Sequence, residues 1–202
     1  MSTHEYRLIA TSKSPEELVQ HDRVDVSLYN APALSEAELE KIFYRTWVWV
    51  AHESEVRNSG DFKTATIGRR PVIVVRDKKN NINVLENRCR HRGATVCEKH
   101  KGNATGFTCP YHSWSYGLDG KLRALPYPDG YEGILEKSEL PLTSLRVESY
   151  AGMVFASYND EIEPLEDFLG GAKHWMDLFM KQGAGYPIKT QGEHKFSFKG
   201  NW

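Results

Sequence analysis

Cysteine is scarce in this chain and odd in number: three among 202 residues. That is too few for a disulfide framework and leaves metal binding or burial as their uses. Long apolar runs are missing too. The longest, residues 47–51 and 71–75, fall far short of the roughly 20 residues needed to cross a bilayer, so no transmembrane helix is expected. Residues 1–13 hold no apolar stretch ahead of a small-residue cleavage site, which makes the cytoplasm the expected compartment. Charge of one sign is lacking as well. With 26 basic and 27 acidic side chains the formal charge is -1, and no bulk attraction to nucleic acid or to a membrane surface is expected. There is no internal repeat or low-complexity tract, and a chain 40% hydrophobic, 26% charged and 11% aromatic is neither collagen, coiled coil nor disordered polymer.

What is present begins with two helix-start signatures, Ser14-Pro15-Glu16-Glu17 and Ser35-Glu36-Ala37-Glu38, both with the spacing of a capping box. The second leads into Leu39, Ile42, Phe43 and Thr46, which predicts a helix over about 36–46 with one apolar face. Short runs rich in β-branched and aromatic residues follow at 62–67, 72–76, 82–86, 106–109, 113–118, 142–147 and 153–157. Turn residues separate them, Lys78-Lys79-Asn80-Asn81 and Asp119-Gly120 among them, which predicts small antiparallel sheets. From Pro164 a single helical stripe is expected through Leu165, Phe168, Leu169, Ala172, Met176 and Phe179, ending at Gly183 and Gly185. Lys195-Phe196-Ser197-Phe198-Lys199 alternates as a strand should, and the sequence then stops at Asn201-Trp202 with no turn or polar tail, which reads as a cut.

The chemistry concentrates in Cys89-Arg90-His91 and, seventeen residues on, Cys109-Pro110-Tyr111-His112. One Cys and one His two apart mean little, because a strand puts them on one face by chance. Two such clips, each on a loop leaving a predicted strand, form a donor set of two thiolates and two imidazoles. That is the set of a Rieske [2Fe-2S] centre, with Cys89 and Cys109 on one iron and His91 and His112 on the other. Two thiolates cancel the net charge of two ferric ions and two sulfides, whereas four would leave an excess of negative charge. Accepting an electron is therefore easier, in line with potentials of roughly -150 mV and above against about -400 mV for plant-type clusters. Arg88, Arg90 and Arg92 add to this, screened by solvent. A structural zinc ion takes the same donor types, but common zinc clips pair Cys with Cys or His with His, and here each clip mixes them. Cys97 is read as a small buried hydrophobe and His100 as a solvated loop residue. His4, His21, His52, His174 and His194 are scattered, and residues 47–50 read as sheet core.

Between residues 87 and 126 the chain resembles the large, or alpha, subunit of the Rieske non-haem iron oxygenases that hydroxylate aromatic rings. Asn87, Cys89, His91-Arg92-Gly93, Gly106, Cys109-Pro110-Tyr111-His112, Trp114, Gly117, Gly120 and Pro126 carry the likeness, and Ser113 stands where the family has glycine. High-potential respiratory Rieske proteins have a disulfide beside the cluster; Ala94 and Tyr111 occupy the corresponding places here, which resembles the oxygenase and ferredoxin-like branch.

The resemblance implies an α+β fold. Residues 1–44 would be a helical segment, 45–160 an all-β Rieske iron-sulfur domain, and 161–202 the beginning of a truncated catalytic domain. It implies electron donation by a ferredoxin or flavin reductase and, in the full-length parent, an aromatic substrate, dioxygen, and a mononuclear non-haem Fe(II) whose ligands would lie beyond residue 202. No catalytic residue is then expected within the chain. A homo-oligomer or alpha-beta assembly is implied, without nucleic acid or membrane. The rival readings are a stand-alone Rieske ferredoxin, similar to residues 45–150 alone, and a zinc-stabilised binding module.

Overall fold

The computed structural model describes residues 13–198. Helix α1 (Pro15–Leu18) is one turn, started by a true capping box: the Ser14 hydroxyl accepts from Glu17 N–H and the Glu17 carboxylate accepts from Ser14 N–H. Helices α2 (Ser27–Asn30) and α3 (Pro32–Glu38) follow. The second capping box is not used. Pro32 opens α3, since its fixed φ suits the first helical position, and Ser35 lies inside the helix. The chain then widens into a π-helical turn, Leu39–Phe43. This breaks the 3.6-residue period, so Leu39 is buried while Ile42, expected on the same face, is 52% exposed.

Three antiparallel sheets make up the body. Strands β1 (Val48–His52), β2 (Asp61–Ile67), β3 (Arg70–Arg76), β4 (Ile82–Glu86), β5 (Lys101–Asn103), β6 (Phe107–Thr108), β7 (Ser115–Tyr116), β8 (Leu122–Ala124), β9 (Arg146–Tyr150) and β10 (Met153–Ser157) pair in the orders β1-β10-β9, β4-β3-β2-β5 and β6-β7-β8. Residues 47–50 are only half core: Trp47 is buried and donates its indole N–H to Glu163 O at 2.9 Å, while Trp49 is 59% exposed on the bulged strand β1.

The period-2 alternation of β-branched residues explains the layering. Ile73 and Val75 of β3 and Leu85 of β4 face one core, with Cys89, Phe107, Cys109, Trp114 and Tyr116. Val72, Val74 and Val84 face a second core, with Val50, Ala51, Val154 and Ala156. The β4-β3-β2-β5 sheet is thus covered on both faces. At its β2-β3 turn Gly68 has φ +56, a conformation that favours glycine, and a Cβ there would lie 2.6 Å from Leu39 Cδ2 of the π-helical turn seated against the hairpin.

Two C-terminal expectations are corrected. The single stripe from Pro164 is two helices, α4 (Leu165–Leu169) and α5 (Ala172–Lys181), because Gly170 at φ +47 breaks the path. Residues 195–198 form no strand, and Phe196 and Phe198 are 84% and 85% exposed: the alternating pattern finds no sheet edge to pair with. Lys199 lies outside the described residues. No helix among the described residues is long and apolar enough to cross a membrane.

Ile73 sits at 0% exposure in the central strand. Ile73→Ala is expected to remove about 3 kcal/mol of stability by opening a cavity there, measurable as a lowered denaturant midpoint in circular dichroism with the slope unchanged.

Candidate metal centre

Both Cys-His clips lie on loops that leave strands of the core, and both loops are closed by the same pair of backbone bonds. In the first, Cys89 N–H donates to Ala94 O and Gly93 N–H donates to Cys89 O, both at 2.8 Å. In the second, Cys109 N–H donates to Trp114 O at 2.8 Å and Ser113 N–H to Cys109 O at 3.0 Å. The residue four after each cysteine is left-handed, Gly93 at φ +74 and Ser113 at φ +58. The glycine-to-serine departure at 113 is therefore a residue with a Cβ in a conformation that favours glycine.

This geometry turns the donors in opposite senses. Cys89 and Cys109 are 3% and 2% exposed within the core, and both are free thiols. His91 and His112 are half-buried at its margin, with Nδ1 to Nδ1 at 3.2 Å and the rings edge to face at 4.7 Å between centroids. Trp114 stacks on His91 at 4.8 Å and 15°, Tyr111 leans on His112 at 3.9 Å, and the Arg92 guanidinium lies 5.7 Å over the Tyr111 ring. Each imidazole thus has an aromatic wall that limits ring rotation.

The four donors suit an iron-sulfur unit in their grouping. Two metal-nitrogen bonds of about 2.1 Å, opened between a right angle and a tetrahedral angle, place the nitrogens about 3.0 to 3.4 Å apart. The observed 3.2 Å falls inside that range. Among the described residues, however, no group of three or more His, Cys, Asp or Glu side chains could hold a single ion. A structural zinc site needs four donors around one centre, whereas a two-iron unit takes them as two pairs.

The surroundings of His91 favour a ring that can bind a metal. Partial burial, with the neighbouring His112 and Arg92 charges, pushes the His91 pKa down and favours the neutral ring. Sequence reasoning missed Tyr116. Its buried hydroxyl lies 3.3 Å from Cys89 Sγ and accepts from Arg90 N–H at 3.1 Å, so its own proton is free to point at the sulfur. Burial first, and then the bond to Cys89, push its pKa well up, and it stays a donor. Nothing in the sequence marks it beyond a strand position.

Cys97 is buried, as expected of a small hydrophobe, with its thiol 3.6 Å from Lys99 O. His100 is not simply solvated: its Nε2 lies 2.8 Å from a Glu193 carboxylate oxygen. That contact, with Lys63 and Lys195, holds the Glu193 pKa at about 2. His4 lies outside the described residues.

Comparison with known proteins accords with this geometry. The sequence pattern of the Rieske [2Fe-2S] domain matches residues 46–150. The chain is 41% identical over 182 residues to the large subunit of anthranilate 1,2-dioxygenase from Acinetobacter baylyi, covering 89% of this chain and 39% of the relative. It superposes on naphthalene 1,2-dioxygenase from a Rhodococcus species with a TM-score of 0.75 at 36% identity, covering 82% of this chain and 38% of that one. On a quaternary ammonium Rieske monooxygenase the TM-score is 0.70 at 32% identity, covering 75% and 44%. The chain therefore spans only about two fifths of the length of these relatives.

Relieving the left-handed strain is expected to stabilise the second loop. Ser113→Gly should raise the protein's stability by up to about 1 kcal/mol, the steric gain being partly offset by a more flexible unfolded chain. A raised melting temperature checks this.

Proposed function

Because this chain belongs to the Rieske [2Fe-2S] domain family, we propose that Cys89 and Cys109 hold one iron of such a cluster and His91 and His112 the other. The observation that supports this most directly is the pairing itself: two thiols sunk in the core, and two imidazoles at its margin with facing nitrogens 3.2 Å apart. When bound, a centre of this type supplies one-electron acceptance and donation. The chain's own residues set the terms. Two thiolates and two neutral rings keep the donor charge low. Tyr116 O–H donates toward Cys89 Sγ and draws charge off the sulfur, which favours the reduced state. Trp114 and Tyr111 hold the imidazoles in fixed planes, and each ring's second nitrogen is left for an acceptor outside the donor set.

We place the chain in the alpha subunit of a terminal oxygenase component that hydroxylates aromatic rings with dioxygen and takes its electrons from a ferredoxin or flavin reductase. Residues 1–44 would be its helical approach, 45–160 its electron relay and 161–202 the beginning of its catalytic domain. The support is the likeness to the anthranilate and naphthalene enzymes together with the two-fifths span. The likeness to a quaternary ammonium monooxygenase argues that substrate class is decided outside this region. A cytoplasmic, oligomeric protein is part of the same proposal.

Anaerobically purified protein should be red-brown, carry equal iron and acid-labile sulfide, and give a rhombic electron paramagnetic resonance signal when reduced. A colourless protein holding zinc would refute the assignment. In the loaded protein, His91→Cys should shift the midpoint potential down toward the plant-type range by adding a thiolate. Tyr116→Phe should also lower it, by removing the donor to Cys89, and a potentiometric titration showing no fall would rule that role out.

A further inference from the structure

Asn87 carries part of the family resemblance but is not a metal donor. It is 3% exposed, and its carboxamide is nearly saturated. Oδ1 accepts from Val96 N–H at 3.0 Å and Cys97 N–H at 2.8 Å, and Nδ2 donates to Cys97 O at 2.7 Å. Its own N–H donates to Pro71 O at 2.8 Å, one rung beyond the Val72 and Glu86 pairing that ends the β3-β4 ladder.

The two ligand loops differ in how their bases are closed. Beneath the second, Thr108 of β6 pairs with Ser115 of β7, so a strand ladder joins its two ends. The first has no such ladder: Val96 and Cys97 lie in no strand. The Asn87 carboxamide takes its place, since it presents one face that accepts and one that donates, as a peptide group does. Without it, two N–H groups and a carbonyl in the core would lose their partner, and each unsatisfied buried group costs about 1–3 kcal/mol.

We infer that Asn87 is a positioning residue for the metal centre: by clamping both ends of the loop 87–97 it holds Cys89 and His91 in register with Cys109 and His112. This rests on the cluster reading above. Serine is too short to reach both ends, aspartate would oppose an oxygen to Cys97 O, and glutamine would push the loop outward.

The test uses the full chain loaded with iron and sulfide, comparing wild type, Asn87→Ser and Val154→Ala. The last weakens the second core, which includes no residue of the loop 87–97. Asn87→Ser should lose its cluster to an iron chelator about tenfold faster than wild type and show a shifted resonance spectrum when reduced. Val154→Ala should lower the melting temperature and leave the spectrum alone. Wild-type bleaching and an unaltered spectrum in Asn87→Ser would overturn the clamp. Should that variant not fold, hydrogen exchange in loaded wild type decides: peptides covering residues 95–98 should be protected like those of β3, and rapid exchange there overturns it. A wild-type chain that takes up neither iron nor sulfide would instead overturn the cluster reading, a different and separable result.

Discussion

The apposition of two loops, each folded back on its cysteine by the same pair of backbone hydrogen bonds, is the constraint from which the rest of this structure follows. It turns thiols into the core and imidazoles to its margin, although the histidine follows its cysteine by two residues in one loop and three in the other. The left-handed residue that makes each reversal possible is glycine in one loop and serine in the other. Everything else serves to bring the two reversals face to face and keep them there.

Strand β3 does most of that. Its alternate side chains belong to different cores, Ile73 and Val75 to the one that includes the cysteines and Val72 and Val74 to the one beneath β1, β9 and β10. The N-terminal helices reach the second core through Leu39 and Tyr44, and the Tyr44 hydroxyl accepts from Arg69 N–H at the β2-β3 turn. The sheet is a plate locked between two apolar layers, and the ligand loops emerge from its margin and from the small β6-β7-β8 sheet beside it.

How much of this was legible in the sequence depended on range. The Cys-His clips could be read because their donors are neighbours along the chain, and β2, β3, β4 and β10 because β-branched alternation is a local signal. Strands β5 and β8 were not, since Lys101-Gly102-Asn103 and Leu122-Arg123-Ala124 form strands through their partners and not by propensity. The π-helical turn at Leu39 shifted a face that a regular helix would have shown. The alternation at Phe196 and Phe198 was a pattern without a partner. At the centre itself, Tyr116 was invisible because its role is a contact across 27 residues, and the left-handed φ of Ser113 is a backbone property that its residue type does not signal.

None of the bonds that close the two loops is made by a thiol or an imidazole. A zinc finger collapses around its metal and is unfolded without it; here the polypeptide supplies its own cores, ladders and reversals, and the donors are only presented by them. The four side chains are thus separable from the ties that shape the loops: exchanging one of them changes what the scaffold carries and leaves the scaffold's own bonds in place.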